Sequence, residues 1–240
     1  MKAMLLAAGL GSRLRPWTDD RPKCMVEVAG RPLIDWTIDW LVSEGVTELV
    51  INLHHRPEVL TAHLGDGRTL GLSIEYSYEE WLRGTAGAVA AASDLLGPGR
   101  FLTVYADNLV RCSLRRLLEQ HVASSATMTV ALHGREDVSG SGVAEIDADG
   151  YIRRFVEKPA PGTTTSRWVS AGLLVCEPAV LDYIPSDRAS DFGRDVIPAI
   201  VAAHERVGGY SMHSPERLLW IDTPQDLART ERQLAQEVLP

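Results

Sequence analysis

One run near the amino terminus, Met4-Leu5-Leu6-Ala7-Ala8-Gly9-Leu10-Gly11-Ser12-Arg13-Leu14-Arg15-Pro16, constrains this chain more than any other part of it. An apolar stretch stops at two glycines, and cations follow at Arg13, at Arg15 and, after Arg21-Pro22, at Lys23. The pattern predicts a buried strand ending in an anion-binding loop. Backbone without Cβ can close its N–H groups on a polyphosphate, and nearby cations neutralise what those groups hold. For the glycines alone, a tight strand-to-helix turn with solvated arginines is the simpler reading. A dinucleotide fold would need a third glycine where Leu14 stands, and a P-loop would need Gly-Lys-Ser/Thr, which the chain lacks.

The residues that follow alternate in period. Pro32 opens an apolar helix (Leu33, Ile34, Trp36, Ile38, Trp40, Leu41, Val42) that Gly45 stops, and Val46 to Leu53 reads as a second buried strand. A helix from Pro57 to Leu64, a strand at Leu72 to Tyr76, a small-residue helix entered at Gly84-Thr85-Ala86-Gly87 and a strand at Arg100 to Tyr105 continue the alternation. This order implies right-handed crossovers and a parallel sheet covered on both faces, with ligands at the carboxyl ends of its strands. Asp107 falls at such an end, where a carboxylate suits a cation bridging phosphates, though it suits a cap on the helix Leu114 to His121 as well.

From Ala126 the pattern shortens. Strands at Met128 to Leu132, Gly142 to Ile146, Tyr151 to Val156 and Trp168 to Cys176, the middle two joined across Asp147-Ala148-Asp149-Gly150, predict a small antiparallel subregion beside the main sheet. A helix capped by Asp191 or Asp195, short strands at Val207 to Met212 and Leu218 to Ile221, and a last helix capped by Thr223 with Pro224 in its first turn complete the chain.

A chain of 240 residues with net charge −8 has length for one full α/β core and no general attraction for nucleic acid or anionic membranes. Its anion site must therefore be local. Three cysteines, Cys24, Cys112 and Cys176, without C-x-x-C spacing, predict buried free thiols in a cytoplasmic protein, and no apolar run reaches the about 20 residues that span a bilayer. His54-His55 lack a third ligand at recognisable spacing and read as a strand-end loop. No Ser/His/Asp or Cys/His constellation offers a covalent nucleophile.

Taken whole, Leu6 through Lys23 to Val28-Ala29-Gly30-Arg31-Pro32-Leu33-Ile34 resembles the signature of the sugar-1-phosphate nucleotidyltransferases: Leu-Ala-Gly/Ala-Gly-x-Gly-x-Arg-Leu-x-Pro, then Pro-Lys, then Gly-x-Pro-Leu-Ile. Gly84-Thr85-Ala86-Gly87-Ala88 and Glu157-Lys158-Pro159 resemble two further segments of that family. The resemblance implies a Rossmann-like α/β nucleotidyltransferase fold, with a mixed, mainly parallel sheet, helices on both faces and an antiparallel sugar-binding part. It further implies a single domain over residues 1–240, with nucleotide binding in about 1–125, sugar binding in about 126–222 and a terminal helix at 224–237. The implied reaction joins an NTP to a sugar 1-phosphate and releases pyrophosphate with Mg²⁺ as cofactor.

Residue by residue, the resemblance places Arg13 and Lys23 in catalysis and Leu6, Ala8, Gly9, Gly11, Gly84, Thr85 and Asp107 on the nucleotide. Gly142, Glu157, Lys158 and Ser170 fall on the sugar phosphate, and Asp107 with Asp222 on the metal. Ser170 stands where the family usually has asparagine, Arg83 where it has an apolar residue, and two residues are missing between Asp222 and Thr223. The segment Ser190-Asp191-Phe192-Gly193-Arg194-Asp195 is most similar to mannose- and heptose-1-phosphate guanylyltransferases, pointing to GTP. Thymidylyl, uridylyl and cytidylyl transfer, transfer to a non-sugar phosphate such as phosphocholine, and a non-catalytic sugar-nucleotide sensor stand as alternatives. No hexapeptide repeat follows the last helix, so the acetyltransferase extension of some relatives is not expected, and a homodimer is the assembly considered.

Overall fold

Successive side chains of a strand point to opposite faces of its sheet, and the first strand, β1 (Lys2–Leu6), divides its residues accordingly. Ala3 and Leu5 enter one core and Met4 the other. In the computed structural model, which describes residues 1–238, two short strands β2 (Glu27–Val28) and β3 (Arg31–Pro32) lead into helix α1 (Leu33–Ser43). The chain continues through β4 (Glu48–Leu53), α2 (Pro57–Leu64), β5 (Ser73–Tyr78), α3 (Gly84–Ala91), α4 (Ser93–Leu96) and β6 (Phe101–Tyr105). Then come β7 (Asn108–Arg111), α5 (Leu114–Ser124), β8 (Met128–Gly134), β9 (Gly142–Ile146), β10 (Ile152–Glu157) and β11 (Trp168–Cys176). Helix α6 (Ile197–Ala202), β12 (Val207–Ser211), β13 (Arg217–Trp220) and α7 (Pro224–Val238) follow. None of the described helices is long and apolar enough to cross a membrane.

A nine-stranded sheet runs β10-β9-β11-β6-β1-β4-β5, with β8 paired to β11 and β12 paired to β8. The ladders β6·β1, β1·β4, β4·β5 and β12·β8 are parallel, whereas β11 pairs antiparallel with β6, β8 and β9, and β9 with β10. The antiparallel strands therefore do not stand beside the parallel ones but continue them. Strand β11 makes this possible because its register shifts between Ser170 and Leu174, where Gly172 has φ +69°, a value that a residue with Cβ rarely adopts.

Helices α1, α2 and α5 cover one face through Ile34, Ile38, Leu60 and Leu117, and α3 and α6 cover the other through Ala86, Val89, Ile197 and Ile200. Small residues let α3 lie close to the sheet. A third cluster lies off the sheet, where Leu14, Val26, Val28 and Leu33 pack with Leu109, Ile221, Leu227 and Leu234. It holds the opening loop against the end of the chain.

Two elements differ from their sequence reading. Residues 108–111, to which the sequence reading assigns no element, form β7, which pairs antiparallel with β13 and sets Trp220 opposite Asn108. The helix expected from Asp191 starts as a π-helical turn over Phe192–Val196 before α6. Asp191 stands at its N-cap without a side-chain cap bond: its N–H donates to the Asp195 carboxylate at 2.8 Å, and its own carboxylate turns to Thr85.

Candidate active site

The carboxyl ends of β1, β4 and β6 lie in one row, Leu6 opposite Asn52 on one side and Tyr105 on the other. These residues, with Ala7, Ala8, Gly9, Lys23, Glu79, Gly84, Thr85 and Asp107, line a cavity of about 240 Å³. A second cavity, about 230 Å³, is lined by Arg13, Asp107, Gly142, Glu157, Lys158, Ser170, Trp220 and Asp222 among others. All the residues expected on the nucleotide except Gly11 line the first, and all those expected on the sugar phosphate line the second. Gly11 lines neither. With φ +59° it starts a 3₁₀ turn, and a Cβ on it would lie 2.8 Å from Thr18 Cγ2 and 2.9 Å from Lys23 Cβ. The missing side chain lets Lys23 close on the loop.

Lys23 is the centre of the site. Only 6% exposed, it donates from Nζ to Asp107 Oδ2 at 3.0 Å and to Asp222 Oδ1 at 2.8 Å. Burial alone lowers the pKa of an ammonium, but the two carboxylates outweigh it and hold Lys23 above the ordinary lysine value. Arg13 also reaches Asp222, at 3.1 Å, from the second cavity's rim, and the rest of its side chain is exposed. The two aspartates are 115 positions apart in sequence (222 − 107) and meet because of the β7·β13 ribbon. Asn108 locks the junction by donating to Asp107 Oδ1 and accepting the Ile221 N–H.

Among the described residues, no group of three or more His, Cys, Asp or Glu side chains forms a ligand cluster. Asp107 and Asp222 nevertheless converge on one cation, the Lys23 ammonium, so a hard divalent ion fits between the same oxygens. A magnesium ion is held in this way by one or two carboxylates, with substrate phosphates and water completing its shell.

The first cavity also carries residues that the sequence reading passed over. Asn52, a polar residue inside the apolar strand Leu49-Val50-Ile51-Asn52-Leu53, accepts the Ala7 N–H at 2.7 Å and donates to Glu79 Oε1 at 2.6 Å. The other oxygen of Glu79 accepts the Arg83 N–H at 2.8 Å. Glu79 is buried, and its carboxylate faces the cavity with acceptor sites to spare. The interruption of an apolar strand by Asn52 was a readable signal; Glu79, in a Tyr-Glu-Glu-Trp loop, gave none. Arg83 stacks on Trp81, 4.8 Å from the ring centroid.

In the second cavity, burial pushes the Glu157 carboxyl above its ordinary value, Asp191 adding to the rise while Lys158 and Arg194 oppose it. Its carboxylate is pressed on the bare backbone of Gly142 and Gly193, where a Cβ would meet Oε2 at 2.7 and 2.5 Å. Lys158 is exposed, with φ +48° and Nζ 4.0 Å from Glu157, free to swing over the cavity. Arg194 pairs with Asp191 and Asp195 instead. All three cysteines are free and buried; Cys24 lines the first cavity, but burial pushes its thiol up to about 12, which removes it as a nucleophile. His54 and His55 bond to the carbonyls of Glu79 and Thr18.

The nucleotidyl transferase family profile matches residues 2–237 of this chain. A mannose-1-phosphate guanylyltransferase from Mycobacterium tuberculosis is 32% identical over 99% of this chain and 66% of its own length. A UTP–glucose-1-phosphate uridylyltransferase from Synechocystis is 31% identical over 84% of this chain and 55% of its own length. The chain thus spans less than two thirds of these relatives. A Bacillus anthracis crystal structure, provisionally named a glucose-1-phosphate thymidylyltransferase and solved with sucrose, superposes with a TM-score of 0.86 at 25% identity, covering 99% of this chain and 96% of the other. With the glycine loop, the two adjoining cavities and the lysine-bridged aspartates agreeing, the chain belongs to the nucleotidyl transferase family.

Proposed function

We propose that this chain transfers a guanylyl group from GTP to a hexose or heptose 1-phosphate and releases pyrophosphate. The observation that carries the reading is the seam between the cavities: Asp107 lines both, and Lys23 and Asp222 meet it there. A nucleotide in the first cavity and a sugar phosphate in the second would bring an α-phosphate and an attacking oxygen to that seam. The sugar phosphate is already ionised at neutral pH, so no general base is required. The chemistry needs alignment and relief of repulsion between two anions. The bond formed joins the sugar phosphate oxygen to the α-phosphorus, the bond broken is that between the α-phosphorus and the bridging oxygen, and the electron pair leaves with pyrophosphate.

Lys23 is proposed to turn from its aspartates to the α-phosphate, Arg13 to turn from Asp222 to the leaving phosphates, and Lys158 to hold the sugar phosphate. Gly84 and Thr85 would flank the nucleoside, Glu157 would accept from sugar hydroxyls, and Gly142 and Ser170 would shape that cavity. Asp107 and Asp222 would hold Mg²⁺, which when bound neutralises phosphate charge.

The relatives named above act with different bases, so the base has to be argued from Glu79. A carboxylate only accepts, and guanine alone among the bases offers two adjacent donors, N1–H and N2–H₂, on one edge. Uracil and thymine present a single N–H between two carbonyls, which a carboxylate repels. Asn52 fixes the orientation of Glu79. Pyrophosphate release over five NTPs and a panel of sugar 1-phosphates, with Mg²⁺ and with EDTA, tests the proposal. GTP should lead, and Glu79→Gln should lose that lead by tenfold or more; a lead for UTP or dTTP in the unaltered protein would refute the base assignment.

A further inference from the structure

Among the described residues, Tyr105 and Asp107 alone line both cavities, and only the aspartate has so far been given a part. Tyr105 is the last residue of β6, and its ring lies on bare backbone: a Cβ on Gly172 would fall 2.9 Å from Tyr105 Cβ and 3.0 Å from Cγ. That packing fixes the ring plane. Beside it, Thr85 Oγ1 lies 3.3 Å from Asp191 Oδ1 and accepts the Phe192 N–H at 3.0 Å. Burial, with the nearby charges of Glu157, Asp191 and Asp107, keeps the phenol protonated far above neutral pH. A neutral phenol seated on Gly172 thus stands in the wall of the cavity that Glu157 also lines. An aliphatic residue would serve that wall equally well if only exclusion of water were needed.

We infer that Tyr105 determines sugar specificity: its hydroxyl reads one hydroxyl of the sugar 1-phosphate in the cavity that Glu157 also lines. The inference rests on the sugar 1-phosphate reading above and deepens it. The ribose is the less suitable partner. Tyr105 stands two strands from Asn52 across the row through Leu6, about 10 Å at ordinary strand spacing, and its ring rests on Gly172, which lines the sugar side only.

The test is a cycle between Tyr105→Phe, which keeps the ring and removes the hydroxyl, and the monodeoxy analogues of the sugar 1-phosphate that the unaltered protein uses best. Tyr105→Phe should raise the sugar-phosphate KM about tenfold, the scale of one lost hydrogen bond to a buried group, with kcat and the GTP KM within twofold. One deoxy analogue should lose about tenfold with the unaltered protein and nothing further with the variant. Should Tyr105→Phe fold poorly, Tyr105→Met, which also lacks the hydroxyl, should show the same single-analogue coupling. Equal losses on every analogue, or a loss that tracks GTP against dGTP instead, overturn the inference. An unaltered protein inert toward every sugar 1-phosphate overturns the sugar reading as well, before any variant is made.

Discussion

Replacing Lys23 by methionine removes one charge and little volume, and the structure assigns that change three separable effects. At an effective dielectric of about 20, each of its contacts, 2.8 and 3.0 Å long, is worth about 5–6 kcal/mol before desolvation. Burying the ammonium consumes most of that sum, so the net loss is set by what becomes of the aspartates. Asp222 keeps Arg13 at 3.1 Å, and the Asp107 side chain is 39% exposed, so neither is left as an isolated buried charge. The cost should fall well below the 3–5 kcal/mol of a fully buried broken pair, at about 1–2 kcal/mol, or about 2–8 °C in Tm.

Catalysis should suffer more. Loss of one preorganised electrostatic group costs about 2–4 kcal/mol of transition-state stabilisation, or about 30- to 1,000-fold in kcat/KM for pyrophosphate release. Divalent-ion binding should move the other way: without the ammonium, the two carboxylates should bind Mn²⁺ more tightly in the nucleotide-free protein, read by electron paramagnetic resonance or calorimetry. Turnover within tenfold of the unaltered protein, or unchanged Mn²⁺ affinity, would refute the reasoning.

Gly11→Ala should lower kcat/KM at least tenfold and Tm by a few degrees, because the new Cβ strikes Lys23 and Thr18 at φ +59°. Gly9→Ala, with no atom within 4 Å of its Cβ, should melt like the unaltered protein; equal melting of the two variants would contradict this account. Because the folded-state pKa of Glu157 is raised, it takes up its proton above the ordinary carboxylate range. The sugar-phosphate KM should therefore climb as pH falls through the raised value, while Glu157→Gln should start high and stay flat. The stability comparison has the opposite sense: the native state binds the proton more readily than the unfolded one, so the stability of the unaltered protein relative to Glu157→Gln should rise as pH falls through that window. Parallel pH profiles for the two proteins would remove Glu157 from sugar recognition.

Much of this was legible in the chain because its causes are local. The glycine loop, the strand–helix alternation through Tyr105 and the Thr223–Asp226 cap depend on residues a few positions apart, and Thr223 Oγ1 does accept the Asp226 N–H. The β7·β13 ribbon was not legible. Residues 108–111 form a strand only because a partner more than a hundred residues later lies beside them, and no local propensity records that partner. For the same reason Asp222 was ambiguous in sequence and is not so in space, where it meets the Lys23 ammonium. Gly11 was read as a nucleotide contact from its spacing, but the room its φ of +59° leaves for Lys23 depends on a packing that the spacing does not record. Asn52 and Glu79 were missed because hydrogen-bond partners 27 positions apart carry no spacing signature.

The ribbon between β7 and β13 also governs when the protein becomes competent. One carboxylate of the seam is made before the middle of the chain and the other near its end, so a growing polypeptide can build the glycine loop and the parallel strands long before its second acidic arm exists. Until that arm is in place, the Lys23 ammonium has only one of its two carboxylates. Competence arrives late and all at once, when the last strand reaches back to its partner.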